Sequence, residues 1–393
     1  MPNSAIGVVV SPIEAFDEGV LPHDERRTSF ARFLSTPSGR AKPGRYWKID
    51  LDALSVDDLA IGPDRAEVVL PPAPARVTVV DLATARRDHA AEFERVFGAT
   101  RARMSKFGAL AESFAQIGAF VHVPASLSVD EPIAITYRIA AGSAGFPCTL
   151  VLLEDGARAT VVERIESAGD SFVCGVTEIV TGTRSELTYV APHRFDAQTR
   201  SIFTRAALPG RDARMTWALA DLGGALSVND VDVTLDEPGA HAEVVSIFFP
   251  SGDEHVDVVS TIDHRAGDAS SETLVKSAAN GRGQARFLGN IRIAPHAQGS
   301  NAALRDDALL LSKHAHIDSV PALEIAANDV KAFHGATVGA LDADQIFYME
   351  SRGIAPSDAE RMIALGFFEP AVARFPGEAL REELREALRA KLA

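Results

Sequence analysis

Apolar and polar positions divide the chain into three zones, of which the middle one is the most regular. Between about Gly118 and Gly339, short β-favouring runs recur roughly every ten residues, and each run is closed by Gly, Asp, Asn or Pro. In residues 231–235 every second residue is apolar, which is the period of a strand with one buried face. The clearest runs are residues 149–153, 160–165, 228–235, 244–249, 256–262 and 285–293.

Helical patterns flank this middle zone on its N-terminal side. Residues 14–34 have a helical composition, and apolar residues in 82–117 step mostly by three or four positions. Gly98 and Gly108 predict that the second segment is broken into at least two helices. We expect these helices to pack against the larger β region.

Helical signals return after Leu341. Residues 342–345 and 357–360 each have the form of a capping box, and Gly353 stands where the first of these helices would end. A last helix is predicted from about residue 378 to 392, with leucines every fourth position on one stripe. Such a stripe normally packs on the parent domain, and the alternative is a partner-docking surface.

Many short strands without an interrupting helix are typical of a β-sandwich, a β-barrel or a β-solenoid. No strict repeat length emerges, so periodicity alone does not choose among them. The unbroken length of the β region favours a solenoid. We therefore predict a mainly β protein with three parts: residues 1–117 (helices and loops), 118–340 (β core) and 341–393 (helical).

Composition and charge narrow the classes of function. The 393 residues are 46% hydrophobic and 24% charged, with a formal net charge of −15, which is ordinary for a folded protein and disfavours nucleic acid as a main partner. The N-terminus lacks a basic region followed by an apolar core, and no apolar stretch approaches the roughly 18 residues that span a bilayer. We expect a cytoplasmic protein with no membrane partner.

The two cysteines, Cys148 and Cys174, lie far apart in β-rich sequence. Without a CxxC pair the chain cannot build a zinc knuckle or a four-cysteine iron–sulfur site of its own. Isolated cysteines of this kind usually behave as small buried apolar residues.

Familiar catalytic motifs are absent from the sequence, and the remaining candidates each have a structural alternative. His314 and His316 would share one face of a strand and could hold a metal, although two surface histidines are the commoner explanation. His255 and Asp257, with Asp263 and His264 nearby, could form a metal site or a hydrogen-bonded polar ladder on a sheet.

Adjacent carboxylates raise a different class of function. Asp306 and Asp307 could serve a β-solenoid carbohydrate-active enzyme, which works through acidic groups. Neighbouring residues on a strand point to opposite faces, however, so these two cannot attack one bond. That geometry weakens the enzyme hypothesis.

The most distinctive sequence lies near the C-terminal end of the β region, where five short motifs follow one another in fixed order. They are LLLS at 309–312, PALEI at 321–325, HGATVG at 334–339, DQIFY at 344–348 and SRGI at 351–354. This string resembles the SufB/SufD family of iron–sulfur cluster assembly proteins, and the resemblance extends over roughly residues 105 to 370. It implies a right-handed parallel β-helix with helical regions at both ends, and a non-catalytic scaffold subunit of the SUF system.

The resemblance also implies partners. Family members form a SufB–SufD heterodimer that carries a SufC ATPase on each subunit's C-terminal helical region, and a homodimer is the expectation for a chain alone. SufB-type chains have a cluster-building cysteine before the leucine run, where this chain has Asp306, and a Glu after the motif histidine, where it has Gly335. These differences favour a SufD-type subunit; the alternative is a SufB-type subunit with altered cysteines.

The resemblance singles out His334 as the side chain that could meet iron or sulfide. Some SufD-type chains have a cysteine two positions earlier, but here that residue is Ala332. We expect no stably bound cofactor, only a transient iron–sulfur cluster that His334 shares with a partner's cysteine; the alternative is that His334 only supports the subunit interface. The predicted SufC-docking residues are Phe347, Tyr348, Arg352, Met362, Phe367 and Phe368.

Overall fold

The β-favouring runs form an array of 19 strands in the computed structural model, which describes residues 21–37, 45, 46, 49, 59–62, 64–100, 102–115 and 117–392. Strand and helix bounds follow in chain order. The strands are β1 Ala66–Val69, β2 Thr78–Asp81, β3 Ile117–Val123, β4 Ile133–Ile139, β5 Ala144–Gly145, β6 Pro147–Leu153, β7 Arg158–Ser167, β8 Phe172–Thr181, β9 Glu186–His193, β10 Arg200–Pro209, β11 Arg214–Asp221, β12 Leu226–Leu235, β13 His241–Phe248, β14 His255–His264, β15 Ser270–Ala279, β16 Gln284–Ile293, β17 Asn301–Leu310, β18 His316–Ile325 and β19 Lys331–Ala340. The helices are α1 His23–Ser35, α2 Leu82–Asp88, α3 Ala90–Val96, α4 Lys106–Ser113, α5 Ala343–Ser351, α6 Pro356–Val372 and α7 Glu378–Lys391.

From β6 onward the strands alternate between two parallel sheets. One sheet has the order β1-β4-β7-β9-β11-β13-β15-β17-β19, and the other runs from β18 through the even-numbered strands to β6, β3 and β2. Each strand therefore pairs with the strand two places along the chain, which is the topology of a solenoid with about eight turns. The predicted β-helix is confirmed.

Turns of the solenoid differ in length. Phe203 pairs with Asn229, 26 positions later, whereas Gln284 pairs with His316, 32 positions later. The predicted turns between strands are present, since Gly156, Gly239 and Gly281 all have positive φ. The variable turn length explains why no repeat was visible in the sequence.

Short antiparallel strands and helices cover the first turn. β1 pairs antiparallel with β4, and β2 pairs antiparallel with β3. Helix α2 packs on β3, α3 and α4 lie over the outer face of β6, β8 and β10, and α1 packs on α4. Part of the predicted 14–34 helix lies outside the described residues, and α1 occupies most of the rest. Gly98 separates two helices as predicted, but Gly108 lies inside α4.

Gly108 neither forms a turn nor breaks α4, and close packing explains why a glycine stands there. A Cβ built at Gly108 would come within 2.0 Å of the Ala102 carbonyl oxygen, so only glycine lets the preceding 3₁₀ turn approach the helix. The helical segment predicted for residues 82–117 is also too long, because α4 ends at Ser113 and Ile117 begins β3.

The C-terminal helices pack against the outer face of the sheet that ends in β19. Phe368 and Val372 of α6 are buried there together with the Leu380, Leu384 and Leu388 stripe of α7. Asp342 caps α5 through its side chain as predicted, with Asp344 donating its backbone N–H at 2.9 Å. The second predicted capping box is wrong: α6 begins at Pro356, and its N-cap residue makes no side-chain cap hydrogen bond.

Candidate functional site

Within the part of the chain that the structure describes, the last turn of the solenoid has two unpaired strand edges. β18 is the final strand of one sheet and β19 is the final strand of the other, and both are ten residues long. Large apolar side chains are exposed on them: Val320 at 38%, Ile325 at 42%, Phe333 at 54% and Val338 at 45%. We call β18 and β19 together the open end.

His334 lies on β19 at this open end. Its register partner on β17 is Leu304, which is buried in the solenoid interior, so His334 stands on the interior-facing side of the strand. Its two neighbours on that side are the small residues Ala332 and Ala336. His334 is exposed, and no hydrogen bond or ion pair to its imidazole is found within the described part of the chain.

Asp306 lies next to this position, one strand inward and two residues along. It is fully buried, and Ser319 of β18 donates a hydrogen bond to Oδ2, while Oδ1 has no hydrogen-bond partner among the described residues. Burial raises the pKa of Asp306 to about 6, and the Ser319 hydrogen bond offsets only part of that rise. The last covered turn thus contains a buried carboxyl with one oxygen that has no hydrogen-bond partner among the described residues.

Asp307 points to the other face of the sheet. It accepts from Lys276 Nζ at 2.8 Å and from Thr337 Oγ1 at 2.7 Å, and these hydrogen bonds lower its pKa against the raising effect of burial. The two carboxylates of the 306–307 pair therefore act on opposite faces, as the alternation of a strand requires. No bond could be reached by both, which removes the geometric basis for a glycosidase pair.

Three of the predicted docking residues form an exposed surface on α5 and α6. Phe347 is 70% exposed, Tyr348 59% and Met362 55%, and α5 has no buried residue at all. Arg352 donates to Tyr348 Oη at 3.3 Å, and its guanidinium lies 5.5 Å from the centre of that ring. We call Phe347, Tyr348 and Met362 the α5 surface.

Phe367 and Phe368 do not belong to this exposed set, because both contact the solenoid. Phe368 is fully buried and stacks on Phe249 of the solenoid, with ring centres 6.0 Å apart. Phe367 is partly buried, with Lys276 Nζ 4.5 Å from its ring centre. Phe368 therefore holds α6 on the sheet and offers no side-chain surface to a docked protein.

A buried polar network inside the solenoid went unrecognised in the sequence. Glu163 accepts hydrogen bonds at 2.7 Å from both Tyr189 and Thr149, and Arg205 lies 3.5 Å from its other oxygen. His193 contacts the same guanidinium at 3.4 Å, and burial lowers its pKa. The sequence did contain a signal: on β7, Glu163 stands at a position that alternation assigns to the buried, apolar face. A search for motifs does not detect such a residue.

Several of the other candidate side chains have hydrogen-bond or charge partners. His314 lies in a turn before β18, which begins at His316, so the two histidines do not share a strand face as predicted. Asp257 is fully buried and accepts from Arg286 at 2.6 Å, and His264 contacts Ser271 at 2.8 Å. His316 lies 3.2 Å from Asp318. No group of three or more metal-ligating side chains occurs in the part of the chain that the structure describes.

Both cysteines are buried, as predicted. Burial raises the pKa of the Cys174 thiol, and the sulfur atoms of both buried cysteines are inaccessible to a partner. None of the helices in the described ranges has the length and apolar character needed to span a membrane.

Comparison with known proteins identifies the family. Residues 137–367 match the family described as "SUF system FeS cluster assembly, SufBD core domain". The chain belongs to the SufBD family. The matched segment includes the buried polar network, the open end and most of α6.

Named relatives agree with this assignment. SufD of Bacillus subtilis is 28% identical over 323 residues, which cover 80% of this chain and 74% of that protein. A SufBD family protein of Mycobacterium leprae is 29% identical over 263 residues, 66% of this chain but only 30% of the longer relative. A SufBD family protein of Staphylococcus saprophyticus is 26% identical over 303 residues, 76% of this chain and 65% of the relative. The chain is a SufD homologue of the iron–sulfur assembly family.

Proposed function

We propose that this chain is a non-catalytic scaffold subunit of SufD type, which pairs with a SufB-like subunit through the open end and carries a SufC ATPase on the α5 surface. The observation that supports it most is the last solenoid turn, where two long strand edges and an unpartnered His334 are exposed together. Unpaired edges of this length are normally covered, because their N–H and C=O groups can pair with another chain. In this proposal, a nascent iron–sulfur cluster forms where the open end meets the SufB-like subunit and is later transferred.

His334 is the proposed ligand for the nascent cluster, shared with a cysteine of the SufB-like subunit. A neutral imidazole binds iron through a nitrogen and holds it less tightly than a thiolate does, so that a cluster can later leave. The exposed position on β19 and the small flanking residues leave the ring accessible from the partner's side. The buried cysteines cannot serve in its place.

Co-expression with the SufB-like and SufC proteins, followed by anaerobic absorbance and iron analysis, tests this role. In His334→Ala we expect the subunits to co-purify while the cluster yield falls by about tenfold, as is typical when a metal ligand or its support is lost. His296→Ala, at an exposed histidine in the loop before β17, is the matched control. A normal cluster yield in His334→Ala would contradict the ligand role. If that variant also co-purified less well with the SufB-like subunit, His334 would instead belong to the subunit interface.

The α5 surface is the proposed ATPase contact because aromatic anchors at the centre of a patch dominate specific interfaces. Deleting residues 342–393 would be a poor test, since α6 and α7 cover buried sheet residues. Phe347→Ser combined with Tyr348→Ser leaves that packing intact, and we expect it to abolish co-purification with SufC. Leu34→Ser removes an equally exposed apolar side chain from α1 and should leave SufC binding unchanged.

A chain purified alone is proposed to form a homodimer through the same strand edges. A symmetric pair would place β19 of one copy against an edge of the other. Light scattering on the isolated chain tests this, and addition of the SufB-like subunit should convert the homodimer to a heterodimer. A monomer at micromolar concentration would contradict the proposal for the isolated chain without affecting the heterodimer.

A further inference from the structure

A cavity of about 560 Å³ lies outside the solenoid, between the sheet that ends in β19 and the C-terminal end of α6. Its lining includes Leu274, Ala303 and Arg305 from the sheet, with Pro370 and Arg374 from the helical side. Its size is in the range of small-molecule sites, and its lining combines apolar walls with a few charged groups. The cavity lies on the opposite face of β19 from His334, so it is separate from the proposed cluster site.

The strand register explains why a depression forms here. The outward-facing row that crosses β15, β17 and β19 is Leu274, Arg305 and Gly335. The row beside it contains Ala303, which is too small to fill the space below α6. A Cβ at Gly335 would lie only 3.0 Å from Phe333 Cζ, which shows that the Phe333 ring leans across the glycine beside Arg305. An aromatic wall and a guanidinium therefore adjoin in one cavity.

Two of the three cations in the lining are already paired. Lys276 binds Asp307 at 2.8 Å, and Arg374 binds Glu272 at 3.1 Å and also Glu243. Arg305 has no ion pair or hydrogen bond from its guanidinium within the described residues. An arginine fork matches the two oxygens of a carboxylate or the oxygens of a phosphate. Because the Arg305 guanidinium is the one cationic group in the lining without an ion pair among the described residues, we expect the ligand to carry one anionic group.

We infer that this cavity is a binding site for a small organic anion, in which one carboxylate or phosphate monoester group pairs with Arg305 and an attached apolar or aromatic group packs between Phe333, Leu274 and Pro370. The inference goes beyond the scaffold role and does not depend on it. Because the site joins β17, β19 and α6, a bound ligand would also tie the last strand to the C-terminal helices.

Ligand-observed NMR titration of the full chain tests the charge requirement. The probes are benzoate and phenyl phosphate, with benzamide as the neutral molecule of the same shape. We expect saturable binding of at least one anion in the millimolar range, as is usual for fragments of this size, and binding of benzamide weaker by about tenfold. Equal binding of benzamide, or no saturable binding of either anion, would overturn the inference. The stronger of the two anions distinguishes a carboxylate site from a phosphate site.

Variants place the binding in this cavity. Arg305→Gln should reduce anion affinity by about tenfold and Arg305→Lys by less, because lysine keeps the charge but loses the fork. Ala303→Leu should block the cavity while leaving Arg305 in place. Arg292→Gln, at an exposed arginine on the other sheet, is the matched control and should bind as the wild type does. Wild-type affinity in both Arg305→Gln and Ala303→Leu would contradict the assignment, and circular dichroism confirms that each variant is folded.

Discussion

The two ends of the solenoid are built differently. At the first turn, antiparallel strands of four residues pair with β3 and β4, and four helices bury a core of aromatic side chains that includes Phe33, Phe107 and Phe120. At the last turn, two strands of ten residues each have one edge that pairs with none of the described residues, and Phe333 is 54% exposed. Helices and short strands of the chain cover the first turns of the solenoid, whereas no described residue pairs with the outer edges of β18 and β19 in the last turn.

The difference also extends to the charged groups inside. Glu163, in the earlier turns, is buried beside Arg205 and accepts two further hydrogen bonds. Asp306, in the last covered turn, has Ser319 as its only hydrogen-bond donor among the described residues. Among the described residues, the buried carboxylate of the earlier turns therefore has more side-chain partners than the buried carboxylate of the last covered turn. Four changes would break or sharpen this contrast.

The largest effect is expected for Phe120→Ala at the covered end. Phe120 is fully buried, so the loss of its ring should lower the free energy of unfolding by about 3–5 kcal/mol. Phe333→Ala, at the open end, is the matched control and should change it by no more than about 0.5 kcal/mol in the isolated chain. Urea unfolding followed by circular dichroism measures both. Similar losses for the two variants would show that the open end is not open in solution.

Asp306→Asn should change how stability depends on pH. The folded-state pKa of about 6 lies above the ordinary value of 3.8, so the folded protein binds the extra proton between these values. The resulting stabilisation is fully present below about pH 4 and is lost as the pH rises through about 6, with a total of at most about 3 kcal/mol.

Unfolding of the wild type and of Asp306→Asn at pH 5 and pH 7.5 measures this effect. The wild type should lose stability relative to Asp306→Asn as the pH rises. Relative to Asp307→Asn, which keeps Asp306 and removes only the carboxylate on the outer face, the wild type should show no such loss. A constant difference between wild type and Asp306→Asn would contradict the raised pKa.

Lys106→Met tests how the first end is fixed. Lys106 Nζ donates to the backbone oxygens of Phe33 at 2.7 Å and Thr36 at 2.9 Å, and so satisfies carbonyls at the end of α1. Because both bonds come from a charged donor, we expect a loss of about 1–3 kcal/mol in the free energy of unfolding. Lys331→Met, at an exposed position on β19, is the control and should have little effect. Equal stabilities would show that α1 does not depend on this contact.

The smallest effect on the isolated chain is expected for Val338→Lys on the β19 edge. Val338 is 45% exposed, so the free energy of unfolding should change by about 0.5 kcal/mol or less. An edge lysine opposes strand pairing with a second chain, so co-purification with a SufB-like subunit should nevertheless fall sharply. Undiminished co-purification would exclude this edge from the interface.

Local patterns predicted the strands well because each has a short alternating or apolar run of its own. The α7 stripe and the Gly353 stop were also predicted correctly, since caps and helical periods depend on neighbours within one or two turns. Two local predictions were wrong: the helix break at Gly108 and the capping box at residues 357–360. In both cases a contact distant in sequence, or an alternative N-terminus at Pro356, outweighed the local signal.

By itself, the sequence predicted the β-solenoid, because many short strands follow one another without an interrupting helix and an ordered string of motifs resembles a family with that fold. The role of His334 stays a prediction. Tertiary structure alone decided which predicted residues can meet a partner. Phe347 and Phe368 each belong to a pair of adjacent aromatic residues in a C-terminal helix, yet Phe347 is 70% exposed and Phe368 is fully buried against Phe249. Tertiary structure likewise decided that β18 and β19 are edge strands, because the sequence of a strand does not show whether another strand pairs with it.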